Sequence, residues 1–379
     1  MSRVLIWDLP TRVFHGLLIV GFVTAWTTGG SDQWLSLHSF AGCVMLGLIG
    51  FRLVWGWCGS RYARFGSFAY GPAAVAAHLR QLLAGVPSRY LGHNPAGSAA
   101  IYGMLALGLA VGLTGILAQG GEERHLLAAG ALSIAEGTLV RQAHAALSWL
   151  MLVLVGCHLA GIAVEAWLTK ENLPRSMLTG YKEAPPGSAA GARHGAVAGA
   201  LVVAVAAFGI CWFAYAWRGP VEARIGPVDA LRTVPPVAFV GLQLPDDPVW
   251  REECSACHLA YHPSLLPARS WQRLLKEQDR HFGTDLLLDP ARAAAILAFL
   301  QRNAAEHSPT EAAFKINRSV SSGITPLRIT ETPYWISKHG RLGAQVWSRP
   351  AVRSKTNCAA CHVDALGGSF EDSAMRVPR

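Results

Sequence analysis

Charge is scarce in this sequence. Of 379 residues only 15% are Asp, Glu, Lys or Arg, while 51% are hydrophobic; soluble domains carry about a quarter charged residues. The deficit is confined to residues 1–217, and 218–379 has the charge density of a water-soluble domain. A single soluble globule is thereby excluded. Acidic residues are absent altogether from 58–96, and methionine is absent from 218–374. The first absence bears on topology, the second on which side chains can hold a metal in the C-terminal part.

In place of charge there are five apolar runs, near 13–30, 38–57, 97–119, 141–164 and 196–217. Each is long enough to cross a hydrocarbon core about 30 Å thick. They are almost free of charged residues; the second holds Arg52. Trp7, Trp26, Trp34, Trp55, Trp57, Trp167, Trp212 and Trp217 lie near the run ends, as expected of interfacial belts. The connection 58–96 carries Arg61, Arg64, Arg80 and Arg89, and 165–195 carries Lys170, Arg175, Lys182 and Arg193 against Glu165, Glu171 and Glu183. On the other side, 31–37 holds Asp32, and 120–140 holds Glu122, Glu123 and Glu136 against Arg124. The positive-inside bias predicts a cytoplasmic N-terminus and an exported segment after about residue 218. The net charge of +9 is accounted for largely by the inner loops and calls for no nucleic-acid partner. No small-residue cleavage site follows the first run, which reads as an uncleaved signal anchor.

Four of the eight cysteines form two copies of one pattern, Cys254-Ser255-Ala256-Cys257-His258 and Cys358-Ala359-Ala360-Cys361-His362. C-x-x-C-H lets two thiols bond one haem while the adjacent His reaches its iron. A redox dithiol does not need the His, and free zinc-binding thiols suit an oxidising compartment poorly. The arginine-based topology independently puts both motifs outside. With methionine missing, the sixth ligands come from His262, His281, His307 and His339; His281 and His339 are preferred, His262 can reach a neighbouring haem, and His307 reads as a surface residue. Pairing with a particular iron is left open. Amphipathic helices are expected over 270–281 and 290–304. The 218–249 stretch, with Pro220, Pro227, Pro235, Pro236, Pro245 and Pro248, reads as a stiff tether.

Histidines within apolar spans are functional candidates by default. His15 and His158 lie towards the inside; His38 and His144 lie towards the outside. His144 and His158 are 14 positions apart, roughly 21 Å along a helix and about 40° short of four turns. They share nearly one face at two depths, which predicts two stacked haems, held by His15 with His158 and by His38 with His144. Gly16, Gly42, Gly47, Ala143 and Gly156 would admit flat macrocycles or simply pack helices. Arg52 can pair with a haem propionate or snorkel. Cys43, Cys58, Cys157 and Cys211 read as apolar packing residues. His78, His93, His125 and His194 receive no role.

Residues 1–180 resemble the bacterial cytochrome b561 and hydrogenase-type b cytochromes. The resemblance rests on Trp7-Asp8-Leu9-Pro10-Thr11-Arg12-Val13-Phe14-His15, Phe51-Arg52-Leu53-Val54-Trp55-Gly56, Gly92-His93-Asn94-Pro95, His144 and His158. It implies a four-helix core with bis-His ligands at His15, His38, His144 and His158. Residues 250–370 resemble small periplasmic dihaem cytochromes c through the two C-x-x-C-H motifs, Tyr261-His262-Pro263, His281-Phe282-Gly283 and Arg328-Ile329-Thr330. It implies bis-His c haems.

The expected fold is all-α: a transmembrane four-helix haem-binding bundle (1–180), a fifth transmembrane helix (181–217), the tether (218–249) and a small, mostly α, dihaem cytochrome c domain (250–379). The expected cofactors are two haem b and two covalent haem c, with quinone as a substrate. The expected place is the bacterial inner membrane, in contact with lipid, with the C-terminal domain periplasmic. The functional expectation is electron passage between the quinone pool and a periplasmic redox protein such as a soluble cytochrome c, as a quinol:cytochrome c-type oxidoreductase. The competing expectation is a non-catalytic relay subunit of a larger complex, with other subunits or a second copy as partners. A sensor or peroxidase with an open iron is the third. Electron-flow direction and catalytic residues are not readable.

Overall fold

The computed structural model describes residues 2–30, 34–122, 128, 131–218, 244–375 and 377–378. Asp32, Glu123, Arg124, His125 and nearly all of the tether lie outside the described residues. The chain forms two compact units, Met1–Phe213 and Ala214–Arg379.

In the first unit, strand β1 (Ser2–Leu5) leads into α1 (Leu9–Thr28), α2 (Leu35–Cys58), α3 (Pro72–Leu83), α4 (Pro95–Glu122), α5 (Ile134–Thr169) and α6 (Leu173–Thr179). Strand β2 (Tyr181–Ala184) and α7 (Gly195–Arg218) follow. The strands pair antiparallel, Ser2 opposite Ala184 and Leu5 opposite Tyr181. Five helices, α1, α2, α4, α5 and α7, are long and apolar enough to cross a membrane. Their exposed faces are apolar, with Val20, Val54, Trp149, Val153, Leu159 and Val203 all more than 45% exposed. A lipid-facing helix shows this inversion of the usual pattern.

Helices α1 and α5 begin well before their apolar runs because polar caps start them. Asp8 accepts the Thr11 amide at 2.7 Å, and Pro10 preforms the first turn of α1. The other oxygen of the Asp8 carboxylate accepts from the Trp55 indole at 3.0 Å and from the Ser60 hydroxyl. One buried side chain thus caps α1 and pins the end of α2 to it. At α5 a capping box between Ser133 and Glu136 moves the start to Ile134, upstream of the run at 141. The α4–α5 crossing is backbone-close: a Cβ on Gly121 would lie 2.7 Å from the Gly137 Cα. Arg141 on α5 pairs there with Glu122 on α4 at 3.0 Å. Helix α7 lies against α2 through Phe40, whose ring stacks on Phe208 at 5.7 Å and touches Phe213 at 5.1 Å.

The packing role expected for the cysteines holds least well. Cys58, Cys157 and Cys211 are exposed on their helices and only Cys43 is half-buried.

The second unit holds short helices: α8 (Pro248–Cys254), α9 (Ala268–Lys276), α10 (Pro290–Arg302), α11 (Glu311–Ser319), α12 (Pro333–His339) and α13 (Ala344–Trp347). Its main core is small: Trp250, Leu266, Trp271, Leu274, Ile296, Phe299 and Leu300 with two alanines. Helix α10 starts where expected, with Asp289 accepting the Ala291 and Arg292 amides. The helix expected over 270–281 ends at Lys276 instead. Phe282 (φ 50°) and Gly283 (φ 97°) turn the chain left-handed, a conformation no α-helix continues through. His281 therefore sits on a tight turn bridged to Thr284.

Candidate haem sites

In the bundle the described geometry brings His38 on α2 and His144 on α5 together, their ring centroids 6.0 Å apart. Each ring is aimed by its Nδ1. His38 Nδ1 donates to the Ala25 carbonyl of α1 at 2.9 Å, and His144 Nδ1 donates to the Val111 carbonyl of α4 at 2.9 Å. A carbonyl only accepts, so the proton is on Nδ1 and the lone pair is on Nε2, the arrangement a metal-ligating imidazole needs. Gly29 and Gly115 make room: a Cβ at either would approach the neighbouring His ring to 3.1 Å. The second pair, His15 on α1 and His158 on α5, lies within electrostatic reach of one another and is half-buried. One helix, α5, thus carries one member of each pair.

In the second unit four imidazoles come together as two pairs. His258 faces His281 with centroids 6.3 Å apart, and His339 faces His362 at 6.1 Å. His258 Nδ1 donates to the Leu259 carbonyl at 2.7 Å and His339 Nδ1 to the Trp335 carbonyl at 3.0 Å. Burial holds His281, His339 and His362 below the ordinary imidazole pKa, His362 down to about 4. Neutral imidazole is the ligating form. The attachment thiols are also kept neutral: burial pushes Cys254 and Cys358 up to about 11 and raises Cys361.

His262 does not join either pair. It is 3% exposed, its Nδ1 bonds the Ser264 hydroxyl at 2.9 Å and its Nε2 faces the Pro245 carbonyl at 3.2 Å. Both nitrogens are engaged, and His262 knots the loop at 262–264 to the start of the unit, apart from the two facing pairs. His307 is exposed.

The residues fit haem better than a bare ion. Among the described residues there is no group of three or more His, Cys, Asp or Glu able to hold a metal. Two opposed imidazoles leave the equatorial positions to another donor set, which a porphyrin supplies. Metal–imidazole bonds of about 2 Å each put trans ring centroids roughly 6 Å apart, the spacing seen in all three measured pairs. A Cβ added at Gly16, Gly42, Gly47 or Gly156 would meet nothing within 4 Å, so these glycines face open space and are not close helix contacts.

Arg52 does not snorkel. It is 3% exposed, its guanidinium lies 4.9 Å from the Phe65 ring and 5.9 Å from Phe68, and its Nη1 has no partner. A buried guanidinium with an unpartnered nitrogen suits a propionate.

Sequence reasoning passed over His93. Its ring is wedged between Trp7 (4.6 Å) and Phe68 (4.3 Å), and its Nδ1 is buried without a partner. Burial first, then Arg52, Lys182 and His158, push its pKa down to about 3. It lines a cavity of about 400 Å³ with Arg61, Ser67, Tyr70 and Tyr90. The available signal was the Gly92-His93-Asn94-Pro95 segment, where Asn94 caps α4 by accepting the Gly97 amide at 2.5 Å.

Residues 6–180 match the prokaryotic cytochrome b561 family and residues 250–370 the dihaem cytochrome c family. No curated protein matches the chain. A dihaem cytochrome c from Rhodobacter sphaeroides is 42% identical; the match covers 34% of this chain and 100% of that one, with a TM-score of 0.30. A dihaem cytochrome c from Shewanella baltica OS155 is 29% identical over 35% of this chain and 94% of its own, with a TM-score of 0.29. The chain is therefore a multi-pass, haem-binding electron-transfer protein in one polypeptide, its first part similar to the prokaryotic cytochrome b561 family and its second belonging to the dihaem cytochrome c family.

Proposed function

We propose that this chain carries electrons between the membrane quinone pool and a redox protein outside the inner membrane, through two b haems and two c haems in series. The observation that carries the reading is the sorting of eight histidines into three facing pairs and a fourth pair, His15 with His158, within electrostatic reach of one another. His15 and His158 hold the inner b haem, His38 and His144 the outer one; His258 with His281, and His362 with His339, hold the c haems attached at Cys254/Cys257 and Cys358/Cys361. When bound, these haems supply one-electron iron chemistry with little geometric change, and the protein supplies spacing and potential.

The loop charges orient the bundle with Arg61, Arg64 and Arg80 in the cytoplasm and the second unit in the periplasm. The His93 cavity then opens at the inner side, within electrostatic reach of His158. Tyr90 and Arg61 offer donors, and Leu91 and the ring of Tyr62 offer apolar wall, the mixture a quinone headgroup takes. Neutral His93 donates one hydrogen bond to a quinone oxygen and helps hold the ring beside the inner haem.

The test is reduction of the purified full-length protein in lipid nanodiscs by a ubiquinol or menaquinol analogue. Both b and c absorption bands should rise, and His93→Leu should slow the reaction with quinol while dithionite still reduces every haem. Dithionite reduction with no quinol reduction in the parent protein would remove quinone from the account.

A further inference from the structure

The second unit is electrically lopsided. Around the first C-x-x-C-H motif the basic groups are neutralised: Arg292 pairs with Glu252 at 2.8 Å and with Glu253 at 2.9 Å, and Arg251 pairs with Asp246 at 2.9 Å. Beside the second motif the balance changes. From 318 to 355 the sequence has Arg318, Arg328, Lys338, Arg341, Arg349, Arg353 and Lys355 but only Glu331 on the acidic side. Arg328 and Lys338 have carboxylate partners. Arg341, Arg353 and Lys355 are exposed, and among the described residues no carboxylate lies within ion-pair distance of them. The region is tied to the second His pair. Arg341 lies two positions past His339, and Arg349 is an electrostatic neighbour of Cys361.

A second observation gives these charges a purpose. The His339 ring stacks flat on Trp335 (4.4 Å, 11°), Trp347 lies 6.2 Å from His339, and the Lys355 ammonium sits 6.0 Å from the Trp347 ring. An aromatic pathway therefore runs from His339 to half-buried Trp347, against whose ring the Lys355 ammonium sits.

We propose that the exposed cations of 341–355, with Lys355 over Trp347 and Arg341 and Arg353 on the same stretch of chain, form the docking surface for a one-electron redox protein with an acidic face, and that the His339/His362 haem is the one that exchanges electrons with it. This rests on the haem assignment under Proposed function. Each encounter moves one electron: a ferrous haem becomes ferric as the partner's metal centre is reduced, or the reverse. The unpaired cations steer the encounter and the aromatic pair shortens the remaining gap. Steering of this kind raises association rates by about 10–10³-fold and fades with salt. Anionic lipid is the other chemistry a basic surface attracts, but lipid seated there would cover the aromatic route to His339.

The experiment uses the full chain in zwitterionic nanodiscs, chemically reduced and mixed in a stopped-flow instrument with hexacyanoferrate(III), a trianionic oxidant. The variant R341E/R353E/K355E should react at least about tenfold more slowly at low ionic strength, while tris(phenanthroline)cobalt(III), a cationic oxidant, should react as fast or faster. Calorimetric binding of redox-inert hexacyanocobaltate(III) should be lost with the same variant. Haem content and spectra of the variant report its folding, and R341Q/R353Q/K355Q gives a milder version of the same trend if the reversal disturbs it. Equal hexacyanoferrate rates in parent and variant overturn the proposal. So does parent protein in discs with anionic phosphatidylglycerol reacting as slowly as the variant, which would assign the surface to lipid. Missing haems would instead strike the haem assignment itself.

Discussion

The two units reach one ring spacing by opposite means. In the bundle, His38 and His144 are aimed by carbonyls of other helices, Ala25 of α1 and Val111 of α4. In the second unit, His258 and His339 are aimed by carbonyls one and four residues away in their own chain segment. Centroid separations are nonetheless 6.0 Å in the former and 6.3 and 6.1 Å in the latter. On the proposed assignment, a non-covalent haem site is thus held by tertiary packing. A covalent one needs only a local turn and a short helix, which suits a unit whose main core has few large side chains. The bundle should then fail by losing haem, and the second unit by opening a coordination position.

The largest effect expected follows directly. His158→Ala should remove one b haem and leave both c haems, whereas His339→Ala should keep all haem but leave one iron five-coordinate and able to bind carbon monoxide; haemochrome counts and CO difference spectra distinguish the two. If His339→Ala also shed haem, the contrast between the units would collapse. Next comes packing. Gly115→Leu drives a side chain towards a ring already 3.1 Å from a Cβ there, and should lower occupancy of the outer b haem while sparing the inner one and both c haems. The analogous change outside the membrane, His262→Ala, removes a buried hydrogen-bonded group and should cost about 1–3 kcal/mol of stability without opening either c iron; denaturant melts and CO binding report the two separately.

The smallest effect is a pH slope. The folded pKa of His93, about 3, lies below the ordinary imidazole value of 6.5, so the unfolded chain takes up the proton first. The contribution is complete above pH 6.5 and is lost as pH falls towards 3. Replacing His93 with Phe should flatten thermal stability between about pH 7 and 5, and quinol oxidation by the parent should show no His93 limb in that range.

Much of this was legible in sequence because the signals were chemical or periodic. C-x-x-C-H states its own chemistry, and His144 and His158 share a face by helical arithmetic alone. Helix starts were misplaced wherever a polar cap such as Asp8 or Ser133 did the starting, since hydropathy is blind to caps. The distal candidates His281 and His339 could be named but not paired, because His281 is placed by the left-handed turn at Phe282 and Gly283, not by any repeat. His262 is a candidate by its position near His258; its bond to Ser264 is local, and its contact with Pro245, 17 positions away, is not readable from sequence. His93 was missed for the same reason: its neighbours Trp7 and Phe68 are far from it in sequence.

The central claim is that non-covalent and covalent haems lie in one circuit, two of each. Acid–acetone extraction of the purified full-length protein, followed by pyridine haemochrome assay of extract and residue, tests it in one step. Two haems per chain should leave with the solvent as haem b and two should stay with the polypeptide as haem c. An extract without haem would contradict the account, and so would a polypeptide stripped of all of it.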